Sequence, residues 1–263
     1  MIQLGLVQAP SAMIVAENLD TIKRFAEEAK AASCQAVCFP EAFLTGYAPE
    51  QAAHSALSVN SSAIQQVTEL AESHGIDLLV GFMEEAHGVY YLTHGLFRAD
   101  GTAAFYRKTH LGEKEQRYFS AGDALPVFSL SCGLRIGFQV CVETHFPEIT
   151  QTLSLQGAEV IFAPHAAPST AQTRRRIWGK IIPARSYDNR VYLACCNPWD
   201  GARYGGGTLV TDPNGEIAAS CFEDHPALTV FSVDREQLQA YHNENASIKC
   251  RYYPARRKPE LYQ

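Results

Sequence analysis

Three apolar runs in this sequence lead into side chains that could do chemistry together. "AVCFP" (36–40) runs into Glu41, "AAFYRK" (103–108) ends at Lys108, and "RIGFQV" (135–140) runs into Cys141. A thiolate is a strong nucleophile, but an ordinary thiol, with a pKa of about 8.5, is mostly protonated at neutral pH. A carboxylate can take that proton during attack if burial has raised its own pKa. Glu41 follows an apolar stretch that would bury it. Attack on an amide or nitrile carbon builds negative charge on oxygen or nitrogen. A fixed ammonium such as Lys108 would stabilise that charge, as would the backbone N–H of Val142, the residue after the thiol. The first product would be a thioester, which water then hydrolyses. Taken singly, a Glu or Lys at a strand end is ordinary surfacing chain, and a lone Cys in an apolar run is a small core residue. The chemistry rests on the three arriving together.

Such convergence needs a layered α/β scaffold, in which ligand sites gather at the carboxyl ends of strands. The spacing of apolar residues supplies one. "IQLGLVQA" (2–9), "IDLLVGFME" (76–84), "LRIGFQVCV" (134–142), "EVIFAPHAA" (159–167) and "RVYLACCN" (190–197) read as buried strands. Helical spacing predicts helices over 18–33, 62–75, 146–157 and 173–189, with Gly75 as a stop. Residues 89–108 read as a hairpin about Asp100-Gly101, and 206–220 as another about Asn214-Gly215, followed by a strand at 227–234. Parallel and antiparallel signals therefore mix within one expected α/β domain, 1–263, with no internal repeat, linker or low-complexity segment.

The flanks of the three residues carry a resemblance. "FPEAFLTGY" (39–47), "YRKTHLGEKEQRYFSAG" (106–122) and "CVETHFPE" (141–148) resemble, in order and spacing, the three signature segments of the nitrilase superfamily, the carbon–nitrogen hydrolases. The likeness extends from the first strand to "GTLVTDPNGEI". It implies that Glu41 is the general base and later acid, Lys108 the catalytic lysine and Cys141 the nucleophile. It also implies a second glutamate, Glu115, set by the spacing of Lys108, His110, Leu111, Glu115, Phe119 and Gly122, which would hold Lys108 and orient the substrate. The implied fold is a four-layer α-β-β-α sandwich, paired across subunits into a homodimer, with no metal or organic cofactor. The nine histidines show no metal-binding pattern such as H-E-x-x-H.

Within that resemblance the chain departs at the nucleophile, reading Cys141-Val142-Glu143 where amidase-type members often read Cys-Tyr-Asp and nitrilases Cys-Trp-Glu. Val142 would leave a different wall beside the thiol. Glu143 would either support the backbone or touch substrate. "ARSYDN" (184–189) has Asp188 where a Glu is common. Substrate contacts are expected from Val142, Tyr47, Glu143 and His165, the last in the expected strand segment at 159–167. Tyr47 could equally be core. One of Arg174-Arg175-Arg176 could bind a substrate carboxylate, or all three could be surface arginines pairing with acids. The expected reaction is hydrolysis of a small linear amide or N-carbamoyl amine with release of ammonia. The alternatives are a nitrilase and a non-catalytic binding protein on the same scaffold.

Composition agrees with a small-molecule partner. The 263 residues are 46% hydrophobic with a net charge of −6, so no basic field draws in nucleic acid or an anionic membrane. No apolar run is long enough to span a bilayer, and the N-terminal run is broken by Gln3, Gln8 and Pro10, unlike a signal peptide. A cytoplasmic location follows as the expectation. The eight cysteines (34, 38, 132, 141, 195, 196, 221 and 250) contain no C-x-x-C pair and read mostly as small buried hydrophobes.

Overall fold

A computed structural model describes residues 1–242 and 258–261; Cys250 lies outside the described residues. The elements run β1 (Ile2–Gln8), α1 (Val15–Ala31), β2 (Ala36–Cys38), α2 (Ala52–Ser55), α3 (Ser62–His74), β3 (Asp77–Ala86), β4 (Val89–Phe97) and β5 (Ala103–Arg107). They continue β6 (Phe128–Ser129), β7 (Arg135–Phe138), α4 (Pro147–Leu155), β8 (Val160–Pro164), α5 (Ala171–Asn189), β9 (Tyr192–Cys196), β10 (Thr208–Thr211), β11 (Ile217–Cys221), β12 (Ala227–Val233) and α6 (Arg235–His242). Local signals place the ends. Ser61 accepts from the Ile64 N–H at the start of α3, and Gly75 closes it in the left-handed region. Thr170 caps α5 by accepting from the Thr173 N–H. Pro147 opens α4, where its missing N–H is not needed.

The strands form two six-stranded mixed sheets, ordered β12-β1-β2-β3-β4-β5 and β6-β7-β8-β9-β10-β11. In the first, β1, β2 and β3 are parallel and the outer pairings antiparallel. In the second, β7, β8 and β9 are parallel and again the outer pairings are antiparallel. The two sheets thus share one pattern of pairings, which the sequence, with no internal repeat, does not reveal.

Alternation along each strand builds the layers. Leu4, Leu6, Ala36, Cys38 and Leu79 from one sheet meet Ile136, Phe138, Val160, Phe162, Ala194 and Val210 from the other in a shared core. The intervening residues Val7, Val37, Leu78 and Val80 pack outward under α1 and α3 with Ile22, Phe25, Ile64 and Val67. On the opposite outside, Ile161, Leu193 and Leu209 pack under α4 and α5 with Leu153, Trp178 and Ile182. The result is the four-layer α-β-β-α sandwich.

One predicted element is too long. The strand expected over 134–142 ends at Phe138, and residues Cys141–His145 form a 3-10 turn. The ladder with β8 ends as side chains capture the backbone: Glu143 Oε2 accepts the Val140 N–H at 2.6 Å, and Gln139 Nε2 donates to the Glu143 carbonyl at 2.7 Å. The apolar letters of "QVCV" read as strand, but this polar clamp bends them out of it.

Candidate active site

Glu41, Lys108, Glu115 and Cys141 meet at one end of the sandwich, just beyond the carboxyl ends of β2, β5 and β7. Lys108 emerges directly after β5 and is buried. Its Nζ donates to Glu41 Oε1 at 2.7 Å and to both oxygens of Glu115 at 2.8 and 3.0 Å. Glu115, in a short 3-10 turn, is held in turn by the Tyr47 hydroxyl at 2.6 Å and the Gly112 N–H at 2.6 Å. Tyr47 is only partly covered, so it reaches the site's edge while orienting Glu115. Glu113, also in this charged run, is exposed.

Cys141 opens the 3-10 turn with φ at 53°, and Ala42, directly after Glu41, has φ at 51°. Left-handed backbone at residues other than glycine costs of order 1–3 kcal/mol and persists only where surroundings enforce it. Here Glu143 enforces it at Cys141. This carboxylate is fully buried. Besides the Val140 N–H, it accepts from the Tyr106 hydroxyl at 2.7 Å, the Thr109 N–H and hydroxyl at 2.8 and 2.7 Å, and the His110 N–H at 3.1 Å. Of the two readings of Glu143, backbone support and substrate contact, these hydrogen bonds fit the first: protein donors occupy both oxygens, and the residue ties the loop after Lys108 to the turn bearing Cys141. Val142 sits half-buried beside the thiol. Its N–H precedes the first hydrogen bond of the turn, Glu143 N–H to the Val140 carbonyl, a place where helical amides have no internal partner.

The Glu41 loop is pinned from the other sheet. Its N–H donates to the His165 carbonyl at 3.1 Å, and the Ala166 N–H donates to Glu41 Oε2 at 3.0 Å. Gly81 on β3 lets the loop approach, since a Cβ there would lie 2.5 Å from the Ala42 nitrogen. Gly122 does the same beneath Lys108: its N–H donates to the Lys108 carbonyl, and a Cβ would collide with the Arg107 carbonyl. The His165 side chain is committed to protein partners. Its ring is buried, with Nδ1 2.8 Å from the Ala163 carbonyl and Nε2 3.2 Å from the Trp178 Nε1–H. These partners assign the proton to Nδ1. The ring has no nitrogen left for a substrate, and what the residue contributes to the site is its backbone.

Electrostatics divide the group. Burial raises the Glu41 carboxyl to about 7 against the pull of Lys108, and the nearby Glu115 charge adds to the rise. Burial also pushes Glu115 up, but Lys108, Tyr47 and the Gly112 N–H outweigh it and hold Glu115 ionised. Burial works against the Lys108 ammonium, but Glu41, Cys141 and Glu115 overcome it and raise the pKa. The Cys141 thiol is pushed up to about 12 by burial and the Glu41 charge, despite Lys108. The Glu41 and Cys141 charges act on one another at this range. The arrangement is thus a neutral thiol beside a carboxylate able to accept its proton near neutral pH, with an ammonium fixed alongside. No group of three His, Cys, Asp or Glu side chains among the described residues could hold a metal ion. No described helix is long and apolar enough to cross a membrane.

Local sequence pattern does not identify Ala166, Tyr106 or Trp178 as supports of the site. Ala166 is 125 residues from Glu41 along the chain, and Tyr106 is 37 from Glu143. Pairing between elements, which no short window records, makes them partners. Gly81 does carry a signal. A glycine inside the apolar run "LLVGFME" marks a place where another backbone comes close.

Comparison with known proteins places this geometry. Residues 3–243 match the sequence profile of a family described as Carbon-nitrogen hydrolase. A hydrolase in the pqqF 5' region of Pseudomonas protegens is 32% identical over 270 residues, covering 99% of this chain and 90% of that one. An (R)-stereoselective amidase of a Pseudomonas species is 28% identical over 218 residues, covering 81% and 78%. The solved structure of the NitN amidase from Nesterenkonia superposes with a TM-score of 0.84 at 25% identity, covering 99% of this chain and 98% of that one. Variants of that amidase have been solved with the acetamide moiety of fluoroacetamide added covalently at the active-site cysteine, and in complex with butyramide.

Proposed function

The chain belongs to the carbon–nitrogen hydrolase family, and from that premise we propose that it hydrolyses small linear carboxamides through an acyl-enzyme on Cys141. The observation that carries this reading is the buried contact of Lys108 with both Glu41 and Glu115, at 2.7 and 2.8 Å, beside the thiol. With the thiol held near 12 and Glu41 near 7, no thiolate waits in the resting site. The proton passes to Glu41 as sulfur attacks the amide carbon. Negative charge collects on the carbonyl oxygen, where the Lys108 ammonium and the Val142 N–H receive it. Collapse breaks the C–N bond, protonated Glu41 gives its proton to the departing nitrogen, and ammonia leaves. Glu41, ionised again, takes a proton from water as that water attacks the thioester. The second collapse returns the proton to sulfur and releases the acid. Glu115 and Tyr47 keep Lys108 aimed. An N-carbamoyl amine would follow the same path through a carbamoyl-enzyme.

Ammonia release across a panel of primary amides, N-carbamoyl amines and nitriles tests this. Amide turnover that disappears in Cys141→Ala is the expected result. Turnover of nitriles with none of amides would favour a nitrilase, and release unchanged in Cys141→Ala would refute the mechanism. Assembly as a homodimer and a cytoplasmic location are part of the proposal, the first testable by light scattering on the purified chain.

A further inference from the structure

One buried imidazole has no part in the reaction above. His94 lies on β4, opposite Gly81 of β3 and Tyr106 of β5, and is 1% exposed. Leu96, two residues on and so on the same face of the strand, belongs to the apolar core between the sheets. Burial lowers the His94 pKa to about 3, which leaves the ring neutral. Its Nε2 is 3.8 Å from the Sγ of Cys38, the last residue of β2, the strand that leads to Glu41. Its ring packs on Phe138, the last residue of β7, the strand that leads to Cys141, with centroids 4.8 Å apart. Its partner across the ladder, Tyr106, stands just before Lys108 and donates to Glu143. One side chain therefore adjoins all three strands that deliver the site.

The ring's two nitrogens differ. The Cys38 thiol donates to the Phe39 carbonyl at 3.5 Å, so the sulfur's lone pairs are left to accept from a His94 Nε2–H. That assigns the proton to Nε2 and makes Nδ1 a bare acceptor. Nδ1 is buried with no hydrogen-bond partner. An unpaired polar atom in an apolar core is unfavourable, and such local conflicts are expected at functional sites. Beside it lies the bend after Glu41. A Cβ on Gly81 would sit 2.9 Å from His94 Nδ1, 2.5 Å from the Ala42 nitrogen and 3.2 Å from the Glu41 carbonyl carbon, so Nδ1 and the Ala42 amide flank one spot that glycine leaves open. Ala42 is the residue held at φ 51°, and among the described residues its N–H donates in no backbone hydrogen bond.

Resting on the amidase reading above, we propose that His94 is a positioning residue for that reaction: its Nδ1 lone pair receives the Ala42 N–H and holds the Glu41 bend, while its ring holds the Phe138 strand end that presents Cys141. One imidazole thereby sets the distance over which the thiol proton passes to Glu41. Hydrogen bonds that serve catalysis are often long before substrate arrives and tighten once it is bound. An apolar side chain would pack here at no polar cost, but would leave the Ala42 amide without an acceptor.

Two variants test this. His94→Leu keeps the core apolar and removes the acceptor, and His94→Asn returns an acceptor oxygen near the Nδ1 position. In His94→Leu, kcat for the amide that the wild type turns over fastest should fall at least about 10-fold with KM within about threefold, since a misplaced catalytic group costs rate rather than binding. Its melting temperature should match or exceed that of the wild type, because an unpaired buried polar atom has gone. His94→Asn should regain at least about threefold of the lost kcat, although it melts no higher than His94→Leu. The rate of Cys141 alkylation by iodoacetamide, read by peptide mapping, reports the same geometry without turnover, and should slow in His94→Leu and recover in His94→Asn. A His94→Leu enzyme within about threefold of wild-type kcat, or one whose activity falls only together with its melting temperature and is not regained in His94→Asn, overturns the inference and leaves the amidase reading intact. A wild type that turns over no amide overturns the amidase reading, and the alkylation rates then decide the positioning role by themselves.

Discussion

At the scale of single residues, function turns on how one lysine is shared between two carboxylates. Glu115 is fixed by Tyr47 and Gly112 and stays ionised, so Glu41 is the one free to carry a proton. An acid raised to about 7 is protonated below that pH and cannot accept from the thiol, so kcat/KM should rise through an acid limb near pH 7 and then level. A limb near the ordinary carboxyl value, about 4.3, would contradict this assignment of the base. Tyr47→Phe removes a hydrogen bond to a charged group, worth about 1.5–3 kcal/mol, and should lower kcat about 10-fold or more along with a fall of several degrees in melting temperature. Glu41, Lys108, Glu115 and Cys141 are legible in the sequence because motif spacing carries them. The sequence leaves Glu143 open between support and substrate contact and reads His165 as a pocket residue, because their partners, Tyr106, Thr109 and Trp178, lie in other elements and leave no local mark.

At the scale of elements, the site depends on two loops held in left-handed backbone. Periodicity locates α1, α3, α4, α5 and both expected hairpins, including the Asp100-Gly101 turn, where the Gly101 N–H bonds to the Arg98 carbonyl, but not α2 or α6. It does not locate the end of β7, because apolar residues in the 3-10 turn look the same as apolar residues in a strand. Glu143→Ala would strand several buried donors at once and should cost about 3 kcal/mol or more in denaturant unfolding. Gly81→Ala would drive a methyl into the Ala42 backbone, 2.5 Å away, and move the Glu41 loop. Its activity should fall at least about 10-fold, since misplacing a catalytic group by about 1 Å can cost about 100-fold. A Gly81→Ala enzyme with full activity would show that the Glu41 loop tolerates displacement.

At the scale of the whole molecule, the two sheets repeat one pattern of pairings and face each other across a single core. The repeat is invisible in the sequence because matching topology requires matching polarity patterns, not matching residues. One consequence is that Glu41, leaving β2, and His165-Ala166, leaving β8, the central parallel strand of the other sheet, meet across the interface. The core between the sheets therefore supports the site directly. Phe162→Ala, at a fully buried position there, should cost about 3–5 kcal/mol and lower activity along with stability. The central claim is that this shared interface activates one thiol among several. The other cysteines offer a built-in control: Cys195 and Cys196 are fully buried, while Cys132 and Cys221 are partly accessible. The most direct measurement is mass spectrometry of the intact chain quenched during turnover of an amide, followed by peptide mapping of the added acyl mass. The account predicts one acyl group, on Cys141, absent in Cys141→Ala. An acyl group on Cys132, Cys195, Cys196 or Cys221 instead would contradict it.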